Sequence, residues 1–117
     1  MSTAAAHPAR GEVWLADLDP SFGHEQGGRR PVLIVSVDPF NAGPSGLTVV
    51  LPVTSRVRNI PLHVPVAPPE GGLRVASAIL CDAVRSLDRR RLIDLWGSVD
   101  ATMMTAVEDR IRRLLGV

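Results

Sequence analysis

Ten glycines and ten prolines cut this chain of 117 residues into short apolar runs. Both residue types punctuate regular backbone, and the runs between them have the length of strands rather than of helices. "EVWLADL" (12–18) carries apolar residues at Val13, Leu15, Ala16 and Leu18 and stops at "DP". "PVLIVSV" (31–37) is an unbroken, β-branched run, the pattern of a strand buried on both faces. "LTVVLPVTS" (47–55) predicts a third strand that is bulged or at an edge at Pro52, because proline cannot donate to a ladder. "HVPV" (63–66) predicts a short edge strand, "SAILCDAVRSL" (77–87) a fifth strand and "LIDLWGSV" (92–99) a sixth element. "DPFNAGPSG" (38–46) and "APPEGG" (67–72) are dense in turn residues and predict loops.

Only the C-terminus has a helical period. After Asp100, a suitable N-cap, Met103, Met104, Val107, Ile111, Leu114 and Leu115 recur at three-and-four spacing. Glu108–Arg112 and Asp109–Arg113 are acid-first pairs four apart, which support a helix. The expected fold is therefore mostly β, a small closed barrel or strongly twisted sheet with a C-terminal helix over one opening. The first nine residues are expected to be a flexible arm, and residues 10–117 one domain.

Composition limits the function classes. No apolar run approaches the roughly 18 residues that span a bilayer. A single cysteine, Cys81, excludes an internal disulfide and fits a reducing cytoplasm. All 13 basic residues are arginine, yet the net charge is only +1, so phosphate binding would come from a local patch. The chain has no zinc-spaced Cys/His cluster, P-loop, dinucleotide fingerprint or nucleophile elbow. His7, His24 and His63 lie far apart, so neither a metal site nor a cofactor is expected. The "DLD" at 17–19 predicts a turn rather than a cation site.

Three stretches carry chemistry. "GHEQGGRRP" (23–31) places His24, Glu25, Gln26, Arg29 and Arg30 in a glycine-rich loop, with Arg30 at the start of the buried strand, where it can be aimed. Glu25 and Gln26 are placed to pair with Arg30 or with a facing strand. "PVTSRVR" (52–58) follows the hydroxyls of Thr54 and Ser55 with Arg56 and Arg58. "CDAVRS" (81–86) sets Asp82 and Arg85 in an otherwise apolar strand pattern. Guanidiniums, hydroxyls, a carboxylate and an imidazole suit RNA cleavage by the substrate's own 2′-hydroxyl, where the protein moves protons and stabilises a phosphorane. Of the aromatic residues, Phe22 and Phe40 lie in loops and are the ones expected to stack on an exposed base.

The stretch "RGEVWLADLDPSFGHEQGGRRPVLIVS" (10–36) resembles the opening of the MazF/PemK family of toxin endoribonucleases, and "PVTS" (52–55), "LCDAVRSLDRRRL" (80–92) and the terminal helix follow in that family's order. The resemblance implies an SH3-like barrel with a C-terminal helix, acting as a homodimer. It implies metal-independent, sequence-selective cleavage of single-stranded RNA, commonly mRNA. It also implies a cognate MazE-like antitoxin whose acidic, partly disordered tail covers the groove. Carried over by position, Arg30 matches the arginine taken as general acid or phosphate stabiliser, and Thr54 its catalytic partner. Glu25 and Gln26 match orienting and binding residues, and His24 matches a histidine proposed to assist in the PemK-like branch. Arg29, Ser55, Arg56 and Arg85 are expected to bind RNA. Some PemK-like members use an Arg-x-Asp pair where this chain has Leu80 and Asp82, so Asp82 is expected to bind substrate or hold structure. The competing functions are a protein-binding toxin of the gyrase-poisoning CcdB type, which lacks the EQ–RP loop, and a paralogue that binds antitoxin without cutting.

Overall fold

The computed structural model describes residues 7–117. Seven strands form one antiparallel sheet in the order β4-β5-β3-β2-β1-β7, with β6 paired to β3 beside this path. The strands are β1 (Glu12–Asp17), β2 (Arg29–Ile34), β3 (Leu47–Thr54), β4 (His63–Val66), β5 (Ser77–Leu80), β6 (Arg85–Asp88) and β7 (Leu92–Ser98). A single helical turn, α1 (Asp38–Asn41), follows β2, and α2 (Ala101–Leu115) ends the chain. The sheet is barrel-like but not strictly closed, since β4 and β7 end it without pairing to each other. A 3₁₀ turn at Glu70–Gly72, after β4, packs against β7.

Alternation of side chains accounts for the apolar run in β2. Val32, Leu33 and Ile34 are all fully buried. Leu33 joins Val13, Leu51, Val53, Val64, Ile79 and Val107 in one core, while Val32 and Ile34 join Ala16, Leu18, Val50 and Leu87 in another. Successive residues point to opposite faces, so a strand that feeds both cores must be apolar throughout. β1 and the residue after it divide the same way, with Val13 in the first core and Ala16 and Leu18 in the second. Leu15 is only half-buried, contrary to the core position its spacing implied.

Pro52 is neither bulged nor at an edge. It pairs with Val32 in the centre of the sheet. On the other flank, β6 pairs with β3 as far as Val50, and β5 begins at Val53. The Val35 N–H donates to Val49 O at 2.9 Å, so the alternating ladder points the nitrogen of Pro52 away from β2 and into this gap between partners. A missing N–H costs least there. The stretch 77–87 also differs from expectation. It breaks into β5 and β6 around a 3₁₀ turn, Cys81–Ala83, which puts Asp82 on a turn and Arg85 at the head of the next strand.

At the C-terminus, Asp100 caps α2 by accepting from the Met103 N–H at 2.8 Å, and Gly116 ends it in the left-handed region. Met103, Met104, Val107 and Ile111 pack on the first core, whereas Leu114 and Leu115 are exposed. Asp109 pairs with Arg113 at 3.1 Å, but Glu108 turns to Arg10 instead of Arg112. The loop at 38–46 contains α1, whose fully buried Asn41 bonds to Ser36 and Thr48. Six residues of the expected N-terminal arm lie outside the described residues; Pro8 is buried, and Ala9 exchanges two hydrogen bonds with Glu12.

Candidate functional site

One end of the sheet opens into a cleft of about 970 Å³. β2 brings Arg29 and Arg30, the end of β3 brings Thr54, Ser55, Arg56 and Arg58, and the loop before β2 brings His24 and Gln26. Asp82 comes from the turn after β5, and β7 adds Trp96. A smaller cleft of about 360 Å³ adjoins it through His24, Gln26 and Asp82, and Glu25 and Arg85 line its wall. All the site residues expected from the sequence therefore meet in two adjoining clefts. Another cavity, of about 430 Å³ under α2, contains none of them.

The loop between β1 and β2 is a built structure. Leu18 N–H donates to Gly28 O at 3.0 Å, and the Asp19 carboxylate accepts from Gly28 N–H at 2.8 Å. Gly28 has φ +72°, a backbone conformation that glycine enters without steric cost. Arg91 donates to the carbonyls of Asp17 and Asp19, pinning the start of the loop from across the sheet. Asp17 and Asp19 thus serve the turn, as expected. Glu25 does not pair with Arg30. Its carboxylate accepts from the Phe22 N–H at 2.7 Å and closes the loop tip. Arg30 is oriented by Gly27 instead, its Nε donating to the Gly27 carbonyl at 3.0 Å. One edge of the guanidinium is then fixed and its terminal nitrogens are left for a ligand.

Arg30 is half-buried on β2 opposite Ala16, so the ladder holds its backbone. Thr54 is the last residue of β3, opposite Ala78. Its Oγ1 accepts from the Arg56 N–H at 3.1 Å, which leaves the hydroxyl proton to donate elsewhere. Arg29, Arg30, Arg56 and Arg58 face a single carboxylate, Asp82, along the main cleft. That imbalance makes a positive trough in a chain of net charge +1.

Arg58, which follows Arg56 in the second chemical stretch, also lines the cleft, and two further residues there were not singled out by the sequence. His63 lies 19 positions from Asp82, and only the pairing of β4 with β5 brings its Nε2 within 3.1 Å of Asp82 Oδ1. Two of the widely spaced histidines, His24 and His63, thus share the cleft, although no metal-binding group of three or more ligands exists among the described residues. Trp96 is 40% exposed and lines the cleft beside Leu15 and Val75. Phe22 and Phe40, expected to stack on bases, line neither cleft.

Comparison with known proteins adds three findings. The pattern of the PemK-like, MazF-like toxins of type II toxin–antitoxin systems matches residues 9–115. The chain is 34% identical over 104 residues to endoribonuclease EndoA of Bacillus subtilis (strain 168), covering 88% of this chain and 90% of that protein. Among solved structures, MazF from Deinococcus radiodurans matches with a TM-score of 0.85 and 35% identity, over 96% of this chain and 99% of the other. An endoribonuclease from a mycobacterial species, solved in complex with its cognate antitoxin, matches with a TM-score of 0.79 and 27% identity, over 94% and 96%.

Proposed function

The chain belongs to the PemK-like, MazF-like toxins of type II toxin–antitoxin systems, and from that premise we propose that it is a metal-independent endoribonuclease that cuts single-stranded mRNA in the cytoplasm. The observation that carries this reading is the arginine-lined cleft with Arg30 held on β2 and Thr54 at the end of β3. In this reading the substrate's 2′-hydroxyl attacks the adjacent phosphorus, so nucleophile and electrophile arrive already joined. The work left to the protein is proton movement and stabilisation of charge on the phosphorane.

Arg30 takes the second task. A guanidinium stays charged, so it acts as a phosphate stabiliser rather than a proton donor. Thr54 adds its hydroxyl proton to the same phosphate, since its oxygen is already engaged by the Arg56 N–H. Arg29, Arg56 and Arg58 follow the flanking phosphates, helped by Ser55. His24, Glu25, Gln26, Asp82 and Arg85 form the wall that meets the bases, and Trp96 offers a stacking face. A guanidinium with a fixed hydroxyl can replace the charge stabilisation a metal would supply.

The same trough fits the acidic, partly disordered tail of a MazE-like antitoxin, and the active toxin is a homodimer in this reading. The relative solved with its cognate antitoxin supports such a partner. Among the described residues no helix is long and apolar enough to cross a membrane.

The test is to incubate the purified protein with a long single-stranded RNA in excess EDTA and to map the product ends, with Arg30→Ala alongside. Defined cuts by the wild type, reduced by about 10²–10³-fold in the variant, are expected. Intact RNA in both lanes from a folded protein would instead favour the protein-binding or non-cutting alternatives.

A further inference from the structure

The peptide unit between Gly27 and Gly28 is held at both of its polar atoms. Its carbonyl oxygen accepts from Arg30 Nε at 3.0 Å, and its N–H donates to Asp19 Oδ1 at 2.8 Å. That peptide is trans, so its oxygen and its hydrogen point in opposite directions. The guanidinium and the carboxylate therefore grip one rigid plane from opposite sides. A turn of that plane breaks both bonds at once. The flanks are fixed as well: Gly28 O accepts from Leu18 N–H at 3.0 Å, and Arg30 sits in the ladder opposite Ala16.

Asp19 is itself braced. Its N–H donates to Asp17 Oδ1 at 3.1 Å, and its carbonyl accepts from Arg91, which also donates to Asp17 O at 3.3 Å. Arg85 adds a longer bond to Leu18 O at 3.4 Å. Three consecutive carbonyls, of Asp17, Leu18 and Asp19, are thus held by arginines of β6 and of the 3₁₀ turn after it. Gly27 fits the grip because a Cβ there would lie 2.8 Å from Asp19 Oδ1, in space the carboxylate needs. Among the described residues Asp19 makes no ion pair, and it lines neither cleft. It does not cancel the charge of Arg30, so its effect must pass through the peptide.

A bond from a backbone N–H to a carboxylate is charge-assisted, and it polarises the amide so that the carbonyl becomes a stronger acceptor for Arg30 Nε. We propose that Asp19 is a positioning residue for RNA cleavage, aiming the Arg30 guanidinium at the phosphate through the Gly27–Gly28 peptide. The inference rests on the ribonuclease reading above and gives the "DLD" stretch a role beyond its turn. With Nε engaged, the terminal nitrogens of Arg30 meet the phosphate in one orientation.

The experiment measures kcat and KM on a short RNA containing one mapped cut site, for the wild type, D19A, D19N, R30A and the D19A/R30A double variant. Circular dichroism and thermal melting establish that each is folded. Asp19→Ala should lower kcat about 10–100-fold with KM within about two-fold, because a misaimed guanidinium still binds but stabilises the phosphorane less. Asp19→Asn, whose side-chain oxygen can still accept from Gly28 N–H, should recover most of that loss. In the R30A background, removing Asp19 should change nothing further, because a positioning residue has no effect without the group it positions. Nitrogen-15 NMR gives a readout that needs no substrate. The Arg30 Nε–H should exchange slowly with water in the wild type and D19N, and quickly in D19A.

The proposal is overturned by full activity in D19A, by a D19N as slow as D19A, or by losses that multiply in the double variant. A change confined to KM, or an Arg30 Nε–H equally protected in D19A, overturns it too. If D19A does not fold, the wild type and D19N decide. An Nε–H that exchanges like that of free arginine, or a D19N rate equal to R30A, then overturns the proposal. A protected Nε–H together with a D19N rate near wild type upholds it. A wild type that leaves RNA intact overturns the ribonuclease reading itself, whereas an active wild type with an equally active D19A overturns only the role of Asp19.

Discussion

Cys81 is the immediate neighbour of Asp82, yet it is fully buried while the carboxylate opens into the cleft. Burial pushes its thiol up to about 12 from an ordinary 9.0, against a smaller opposing pull from Arg110. The thiol is therefore inert in the folded protein at neutral pH. In a native sample at pH 8 a thiol reagent should label it only at the rate of unfolding; prompt labelling would show that the turn opens locally. A protonated form favoured by folding stabilises fully below the unfolded pKa, and that contribution is lost as pH rises from about 9 towards 12. Cys81→Ala should flatten the stability curve across that alkaline window. Other residues were legible to different degrees. Arg30 was marked by its place between a glycine loop and a buried strand, but its orienting partner was not. The sequence offered the charge of Glu25, and the fold used the carbonyl of Gly27.

Elements were most legible where the pattern has one period throughout. β2 and α2 are of this kind: α2 runs from its expected cap at Asp100 to Leu115, while β2 starts and ends a few residues earlier than expected. The stretch 77–87 was misread as one strand because Cys81–Ala83 contains neither glycine nor proline to mark the turn. Pro52 misled in the opposite sense, since a break between partner strands on one flank of β3 is invisible in a single strand's sequence. The seam between the 3₁₀ turn and β7 has the same origin. A Cβ on Gly72 would lie 2.2 Å from Trp96 O, at a φ of +74°, so both space and conformation require glycine. Gly72→Ala should destabilise the fold by about 2–4 kcal/mol through overpacking plus left-handed strain. It should also weaken RNA binding by moving Trp96. Gly46 has φ +75° but nothing within 4 Å of an added Cβ, so Gly46→Ala isolates the conformational part at about 1–2 kcal/mol. Urea midpoints of the two variants give the comparison, and equal losses would refute a close approach at the seam.

For the molecule as a whole, the decisive quantity is where charge sits rather than how much there is. A net charge of +1 conceals a cleft in which Arg29, Arg30, Arg56 and Arg58 face Asp82 alone. Single-stranded RNA that engages three or four phosphates there should bind with a log–log salt slope of about −2 to −3. Arg58→Ala should make that slope shallower by about 0.7, the share of one phosphate. RNA affinity measured across a salt series decides this, and a slope near zero would place the phosphates outside the trough.

By itself the sequence determined the quantities that depend on neighbours along the chain. These are the mostly-β class, the doubly buried strand, the capped helix and the grouping of Arg30 with its loop. Each rests on side-chain alternation, helical period or turn chemistry, which act over a few residues. The tertiary structure decided what depends on which strands meet. It set His63 against Asp82, seated Trp96 beside the arginines and left Phe22 and Phe40 outside the clefts. Which distant strands become neighbours is settled by packing of the whole sheet, and no single strand's sequence encodes it.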